Sequence, residues 1–288
     1  MEATTSYNRT SRGTRERLGK GLALVFLIAA AAVSLFPLYW MLNTALTPSS
    51  ATIKIPPTLI PVPLTLENFE RIFEVAPKMW RWTLNSIFIA VISTAVHVVI
   101  DTMAGYAFAK RNFPGSKVLF AVVIASLMIP AQVTLVPQFL LITRLGLTNS
   151  YAGIILPGLA DVLGIFLMKQ FIQTLPTELE DAARVDGASE WQIFTRVIVP
   201  LSAPAIGVLA ILSFTRYWNS FIWPLVIARS ADLYTLQVGL SFVHTSEFKT
   251  EYGLMMAGAV IASLPVFIVF FAFQRYFMQG LRLGAVKG

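Results

Sequence analysis

Long apolar runs alternate with short polar breaks along this chain, and the runs have the length that a lipid bilayer demands. A hydrocarbon core of about 30 Å takes roughly 20 helical residues to cross. Six stretches qualify: Gly21 to Leu42, Thr83 to Ala109, Val118 to Leu141, Tyr151 to Ile172, Ala203 to Ile227 and Gly253 to Phe273. Lipid offers no partner for backbone N–H and C=O groups, so such runs must be helical. The pattern therefore predicts an all-α membrane protein with six transmembrane helices. Residues 1–20 are polar and basic, without apolar period, and are expected to form a largely disordered tail ahead of a membrane domain over 21–288. The first run is too long for a signal peptide. It ends in Pro37-Leu38-Tyr39-Trp40, aromatic interface anchors rather than a small-residue cleavage site.

The polar breaks differ in kind. Residues 43–82 are proline-rich, with a short helix expected over Leu66 to Phe73 and Trp80 and Trp82 marking re-entry into the interface. Asn112 to Gly115 reads as a tight turn, and Arg144 to Asn149 as a loop. The most polar break, Leu179 to Pro200, reads as helix–turn–helix. Ala182, Ala183 and Arg184 favour a helix, Gly187 can take the positive φ that ends it, and Trp191 to Val197 can start another. Thr177 and Glu180 have the spacing of a capping box. A helical hairpin joining two spans lies in water and offers a surface there.

With 56% hydrophobic residues and a mean hydropathy of +0.69, the chain is too apolar for a soluble domain of its length. It has no cysteine, which excludes disulfides, thiolate metal sites and a cysteine nucleophile; two histidines, His97 and His244, make a protein-only metal site an unpromising reading. The net charge of +7 is a topology signal rather than a nucleic-acid footprint. Six spans put both termini on one side, together with the turn after span two and the hairpin. That side holds fourteen Lys and Arg residues and the other seven, with Arg216 inside a span. The positive-inside rule makes the richer side cytoplasmic, so the hairpin and both termini are expected in the cytoplasm of a multi-pass protein of the cytoplasmic (inner) membrane.

The hairpin spacing Asp181-Ala182-Ala183-x3-Gly187-x9-Val197-x-Val199-Pro200 resembles the E-A-A-x3-G-x9-I-x-L-P loop of ABC importer permeases. Asp181, Val197 and Val199 depart from it conservatively. The likeness extends to Ala104–Ala109 running into Phe113-Pro114-Gly115, to Gly164–Met168, to Trp218–Pro224 and to the tail from Gln274. The carboxyl-terminal part is similar to the smaller permease of maltose-type importers. The resemblance implies a type I ABC importer permease fold with a coupling hairpin at 177–200, in which Asp181, Ala182, Ala183, Gly187 and Ala188 meet an ATPase. It further implies a second homologous permease, two ATPase subunits that bind the ATP, an extracytoplasmic solute-binding protein and a sugar substrate. The small hairpin residues are expected to let that partner approach closely.

Polar residues at bilayer depth cost about 2.5–3.5 kcal/mol on insertion scales, so each needs a partner or a wet cavity. His97 and Asp101, four apart, share a face of span two; they form either a structural pair or the proton relay of a secondary transporter, the alternative reading of this chain. Asp161 in span four and Arg216 in span five carry opposite charge at different expected depths, leaving direct contact open. Trp218, Asn219 and Trp223 suit either sugar stacking along a translocation pathway or an interfacial aromatic belt. The loop from Ala228 to Tyr252 carries an apolar strip (Leu233, Leu236, Val238, Leu240, Phe242) that either binds a partner or packs on the permease; the resemblance implies that it reaches the solute receptor. The sequence has no Walker A pattern and no nucleophile–base set, so neither catalysis nor a bound cofactor is expected of this chain.

Overall fold

The computed structural model describes residues 7–54, 56, 58–245 and 251–285, and those residues form helices without a strand. In chain order the α-helices are α1 (Tyr7–Ala45), α2 (Glu67–Val75), α3 (Met79–Lys110), α4 (Ser116–Ala125), α5 (Ala131–Arg144), α6 (Tyr151–Ile155), α7 (Val162–Ile172), α8 (Glu178–Val185), α9 (Glu190–Ile193), α10 (Val199–Leu201), α11 (Ala203–Trp218), α12 (Ile222–Ile227), α13 (Leu236–Thr245) and α14 (Tyr252–Ala285). Three stretches are long and apolar enough to cross a membrane: Gly19–Ala45, Met79–Lys110 and Tyr252–Arg275. Three bent pairs pass the same test jointly: Ser116–Met128 with Ala131–Arg144, Tyr151–Gly158 with Val162–Ile172, and Glu190–Leu201 with Ala203–Trp218.

The bends break three of the six expected spans. Between α4 and α5 the chain turns by 101°. Pro130 is the cause: it lacks an N–H and pushes Ile129 before it into an extended conformation, although the apolar pattern runs on unbroken. The fifth span ends at Trp218, not Ile227, because the helix breaks at Asn219–Phe221. It bends by 76° from the helical segment before it, where Pro200 and Pro204 flank Ser202 and each withholds a ladder donor. At the ends helix outruns pattern. α1 already runs through residues 7–20, which were expected to be disordered, since that stretch contains no proline to stop it; α14 continues to Ala285 for the same reason.

The described residues up to Ile72, with those from 251 to 261, form one compact unit. Its core joins Ala45, Ala257 and Val260, with Met41, Phe69 and Met256 packed around them. The buried Asn68 amide holds it by donating to the carbonyls of Ala45 and Thr47, both at 2.8 Å. The second unit, 73–245 with 262–285, is built on α3. Two glycines bring α3 and α7 together: a Cβ on Gly105 would lie 2.6 Å from Met168 Cβ, and one on Gly164 would lie 1.8 Å from Asp101 Oδ2. Asp101 thus neighbours Gly164, and Gly105 neighbours Met168, so the two helices run parallel and end on the same side. α11 packs against the same stretch of α3.

Candidate functional site

Where α3 and α7 end, the hairpin folds back onto them. α8 closes with a Schellman motif: Ala188 N–H donates to Ala183 C=O at 2.9 Å and Gly187 N–H to Arg184 C=O at 3.0 Å. Gly187 sits at φ +81°, which an L side chain rarely adopts. A Cβ there would meet no atom of this chain within 4 Å, so within the chain the position needs glycine for its conformation. Ser189 then caps α9 in a reciprocal capping box with Gln192. A π-helical stretch, Phe194–Ile198, follows.

The capping box expected at Thr177 and Glu180 does not form, because Glu180 is turned inward and is almost completely buried. Its carboxylate lies 3.4 Å from Lys110 Nζ, 3.9 Å from Arg111 and 3.4 Å from Arg184, and it accepts from the Tyr106 hydroxyl at 3.3 Å. Lys110 also donates to Leu175 C=O at 2.6 Å and to Thr177 Oγ1 at 3.2 Å. Arg111 bonds Tyr106 and Glu190, and Arg184 reaches Asp181 at 2.6 Å and Glu190 at 3.0 Å. Three cations and three carboxylates thus balance around one buried glutamate. The Arg184 guanidinium, and Arg111 behind it, hold the Glu190 carboxyl below its ordinary pKa, and Glu190 in turn raises that of Arg184. Sequence reasoning missed this hub. Its signal is α8's period, which puts Glu180 three residues before the inward-packed Ala183.

The small residues divide accordingly. Ala183 and Ala188 pack against the chain's own core of Tyr106, Met168, Ile172, Ile193, Phe194 and Ile198, so they seat the hairpin on its spans. Ala182 and Asp181 face out. Outward too lie Val185, 89% exposed, Trp191, 62% exposed, and Leu179. A braced, charged hairpin thus leaves three large apolar side chains exposed.

Within the spans, His97 Nε2 and Asp101 Oδ2 approach to 2.9 Å, with both side chains buried. His97 Nδ1 meets Ser213 Oγ of α11 at 2.8 Å, and Asp101 Oδ1 accepts the Asp161 N–H at 3.3 Å. Asp101 therefore sits where an anion is favoured, at the first backbone N–H groups of α7. The pair ties three helices together, out of contact with water. Asp161 and Arg216 do meet, at 2.7 Å. The arginine's reach closes the difference in depth expected from the sequence.

Trp218 is no stacking platform. It is 1% exposed, stacks on Phe214, and donates its indole N–H to Ala262 C=O at 2.8 Å. Asn219 is exposed, whereas Trp223 is half-buried and donates to Gly153 C=O at 3.2 Å. The apolar strip of 228–245 also turns inward: Leu233, Leu236, Val238 and Leu240 are buried, Gly239 abuts the Trp82 ring, and only Phe242 of the five stays exposed. Asn85 donates to the carbonyls of Asp232 and Tyr234, both at 2.9 Å, Trp82 to Ala231 at 2.8 Å, and Leu236 N–H to Ser86 Oγ at 2.8 Å. Lys78 holds the Asp232 carboxyl below its usual pKa. Residues 246–250, the rest of that loop, lie outside the described residues, as does the His244 side chain.

Comparison with known proteins agrees with this architecture. Residues 101–283 match the family described as binding-protein-dependent transport system inner membrane component. The chain is 38% identical to the arabinooligosaccharides transport system permease protein AraQ of Halalkalibacterium halodurans, over 90% of this chain and 93% of the relative. It is 34% identical to the lactose transport system permease protein LacG of Rhizobium radiobacter, over 95% and 98%. It is also 34% identical to the sn-glycerol-3-phosphate transport system permease protein UgpE of Escherichia coli K12, over 88% and 93%. In fold it is similar to a chain of a bacterial ABC transporter that imports the acidic polysaccharide alginate, with a TM-score of 0.79 at 23% identity, covering 91% of this chain and 98% of that one. The chain belongs to the family of binding-protein-dependent transport system inner membrane components: it is a membrane-embedded permease subunit of an ABC importer, a transport component rather than an enzyme.

Proposed function

We propose that this chain forms, with a second homologous permease, the membrane pathway for a sugar or sugar-like solute delivered by an extracytoplasmic solute-binding protein. Two ATPase subunits bind the ATP and drive the cycle; this chain holds no cofactor of its own. Both termini and the 177–200 hairpin lie in the cytoplasm, with six spans counted by taking each bent pair as one. The hairpin is the coupling element: Asp181, Ala182, Val185 and Trp191 meet the ATPase, while Ala183, Ala188 and the Glu180 hub pass its movement to α3 and α7, with Gly187 setting the turn between them.

The observation that carries this reading is the exposure of two large apolar side chains, Val185 and Trp191, on a hairpin that is otherwise charged and braced through Glu180. Large apolar side chains left in water on a braced connector offer a partner area to bury. Sugar as the solute is supported by the names of the arabinooligosaccharide and lactose relatives. The test is uptake by proteoliposomes holding the assembled transporter and its receptor. Uptake that requires ATP and ignores a protonophore supports the reading. Uptake driven by an imposed pH gradient without ATP overturns it in favour of proton coupling.

A further inference from the structure

α7 has 11 residues, so at about 1.5 Å each its first residue stands roughly 16 Å from the hairpin end of the span. That is about halfway through a hydrocarbon core of ~30 Å. There the chain is not helical: Leu159, Ala160 and Asp161 interrupt the span, which bends by 46°. Irregular backbone at such depth is tolerated only inside protein or beside a water-filled cavity, and charged side chains follow the same rule.

One side of this break is closed by the chain itself. Asp101 accepts the Asp161 N–H, and the Tyr217 hydroxyl donates to Gly158 C=O. The other side is open. Ala160 is exposed, the Arg216 side chain is 57% exposed, and Asn219, the residue that follows α11, is exposed as well. By the same rule an arginine so placed faces another subunit or a water-filled cavity rather than lipid.

The chemistry narrows the ligand. A guanidinium carries five N–H donors, and Asp161 engages this one through a single short ionic contact. The carboxylate keeps acceptor lone pairs. A donor and an acceptor side by side match neighbouring hydroxyls, each of which both donates and accepts. The two charges cancel, so the pair does not recruit a phosphate or carboxylate, which an unopposed arginine would bind. We propose that the Asp161–Arg216 pair, at the break before α7, is a solute subsite of the translocation cavity that takes a neutral sugar by its vicinal hydroxyls. The proposal rests on the importer reading and adds to it where, and by what chemistry, this subunit touches the solute.

The absence of cysteine makes the test direct. Ala160→Cys and Asn219→Cys are placed singly in the assembled transporter, held outward-facing with ATP and vanadate, and treated with a small membrane-impermeant thiol reagent. Met168→Cys, at a fully buried position, gives the background. Both probe positions should react. Millimolar arabinotriose or lactose should slow labelling at least threefold, and sn-glycerol 3-phosphate should not. In an Asp161→Asn background the phosphate should protect instead, and in an Arg216→Gln background no solute should protect. Unreactive probe positions, or protection by sugar and phosphate alike in the native background, would overturn the subsite. Receptor-stimulated ATP hydrolysis measured on the native transporter tests the importer reading separately: its presence without sugar protection rejects the subsite alone, and its absence rejects both.

Discussion

Two segments that do not span are fastened to the two ends of α3, and they are fastened in opposite ways. At the hairpin end, 178–201 is held by charge: Lys110 and Arg111 of α3 close on Glu180, and apolar side chains are left outside, with Val185 89% and Trp191 62% exposed. At the other end, 228–245 is held by side-chain hydrogen bonds to its backbone, from the buried Trp82 and Asn85 and to the buried Ser86. Its ion pairs from Lys78 and Arg81 to Asp232 lie on the exposed rim, and its apolar side chains go inside, with Leu236 and Val238 fully buried. The first segment is a braced platform with an unfilled face. The second completes the fold. An apolar strip on a connecting segment is thus not by itself a docking surface; where the segment puts its polar anchors decides which way the strip turns.

The largest effect is expected where the bracing is buried. Glu180→Ala strands Lys110 and Arg111 at the end of α3, and breaking a buried ionic cluster from one side costs about 3–5 kcal/mol. Thermal unfolding of the detergent-purified complex should show that loss, along with the loss of receptor-stimulated ATP hydrolysis. A native-like melting temperature would mean that the hub is not what braces the hairpin.

The next prediction contrasts the two ends. Leu236→Ala empties a buried position and should cost about 2–5 kcal/mol. Trp191→Ala removes an exposed ring and should leave the melting temperature of the isolated permease within a degree, while ATPase binding weakens at least tenfold. Similar behaviour of the two variants in both assays would erase the distinction drawn here.

Gly187→Ala should cost about 1–2 kcal/mol through the left-handed backbone alone. Gly187→Asn should recover part of it, because asparagine tolerates that conformation. Equal losses for the two would point to a steric role that the open space around Gly187 argues against.

Much of this was legible in the sequence. The helix–turn–helix, its break at Gly187 and its place between two spans follow from local residues, because turn chemistry is written within a few positions. The Glu180 hub was not, since its partners Tyr106, Lys110 and Arg111 lie some seventy residues away and the capping-box spacing offered a local competitor. The bend at Pro130 hid inside an unbroken apolar run. Trp218 carried the composition of a sugar platform, but its indole N–H found Ala262 C=O on α14, a pairing that spacing does not reveal.

The smallest effect concerns pH. The Glu190 carboxyl is held below its ordinary value by Arg184 and Arg111, so its contribution is complete above the unfolded pKa and fades as pH falls from there through the lowered folded value. A spin label on the hairpin should show constant mobility from pH 8 to pH 6 and a gain only on acidification beyond the usual carboxylate range. Glu190→Gln should have that added mobility already at pH 7.

The central claim, that the hairpin's outward apolar face is the one a partner covers, is tested most directly by a single fluorophore on Val185→Cys in this naturally cysteine-free chain. With the same dye on Phe242→Cys for comparison, water-soluble quencher access is measured in the free permease and in the assembled, ATP-hydrolysing transporter. The account predicts that Val185 loses most of its quencher access on assembly with the ATPase alone, while Phe242 keeps its own. An active complex in which the Val185 label stays as open to quencher as before would contradict it.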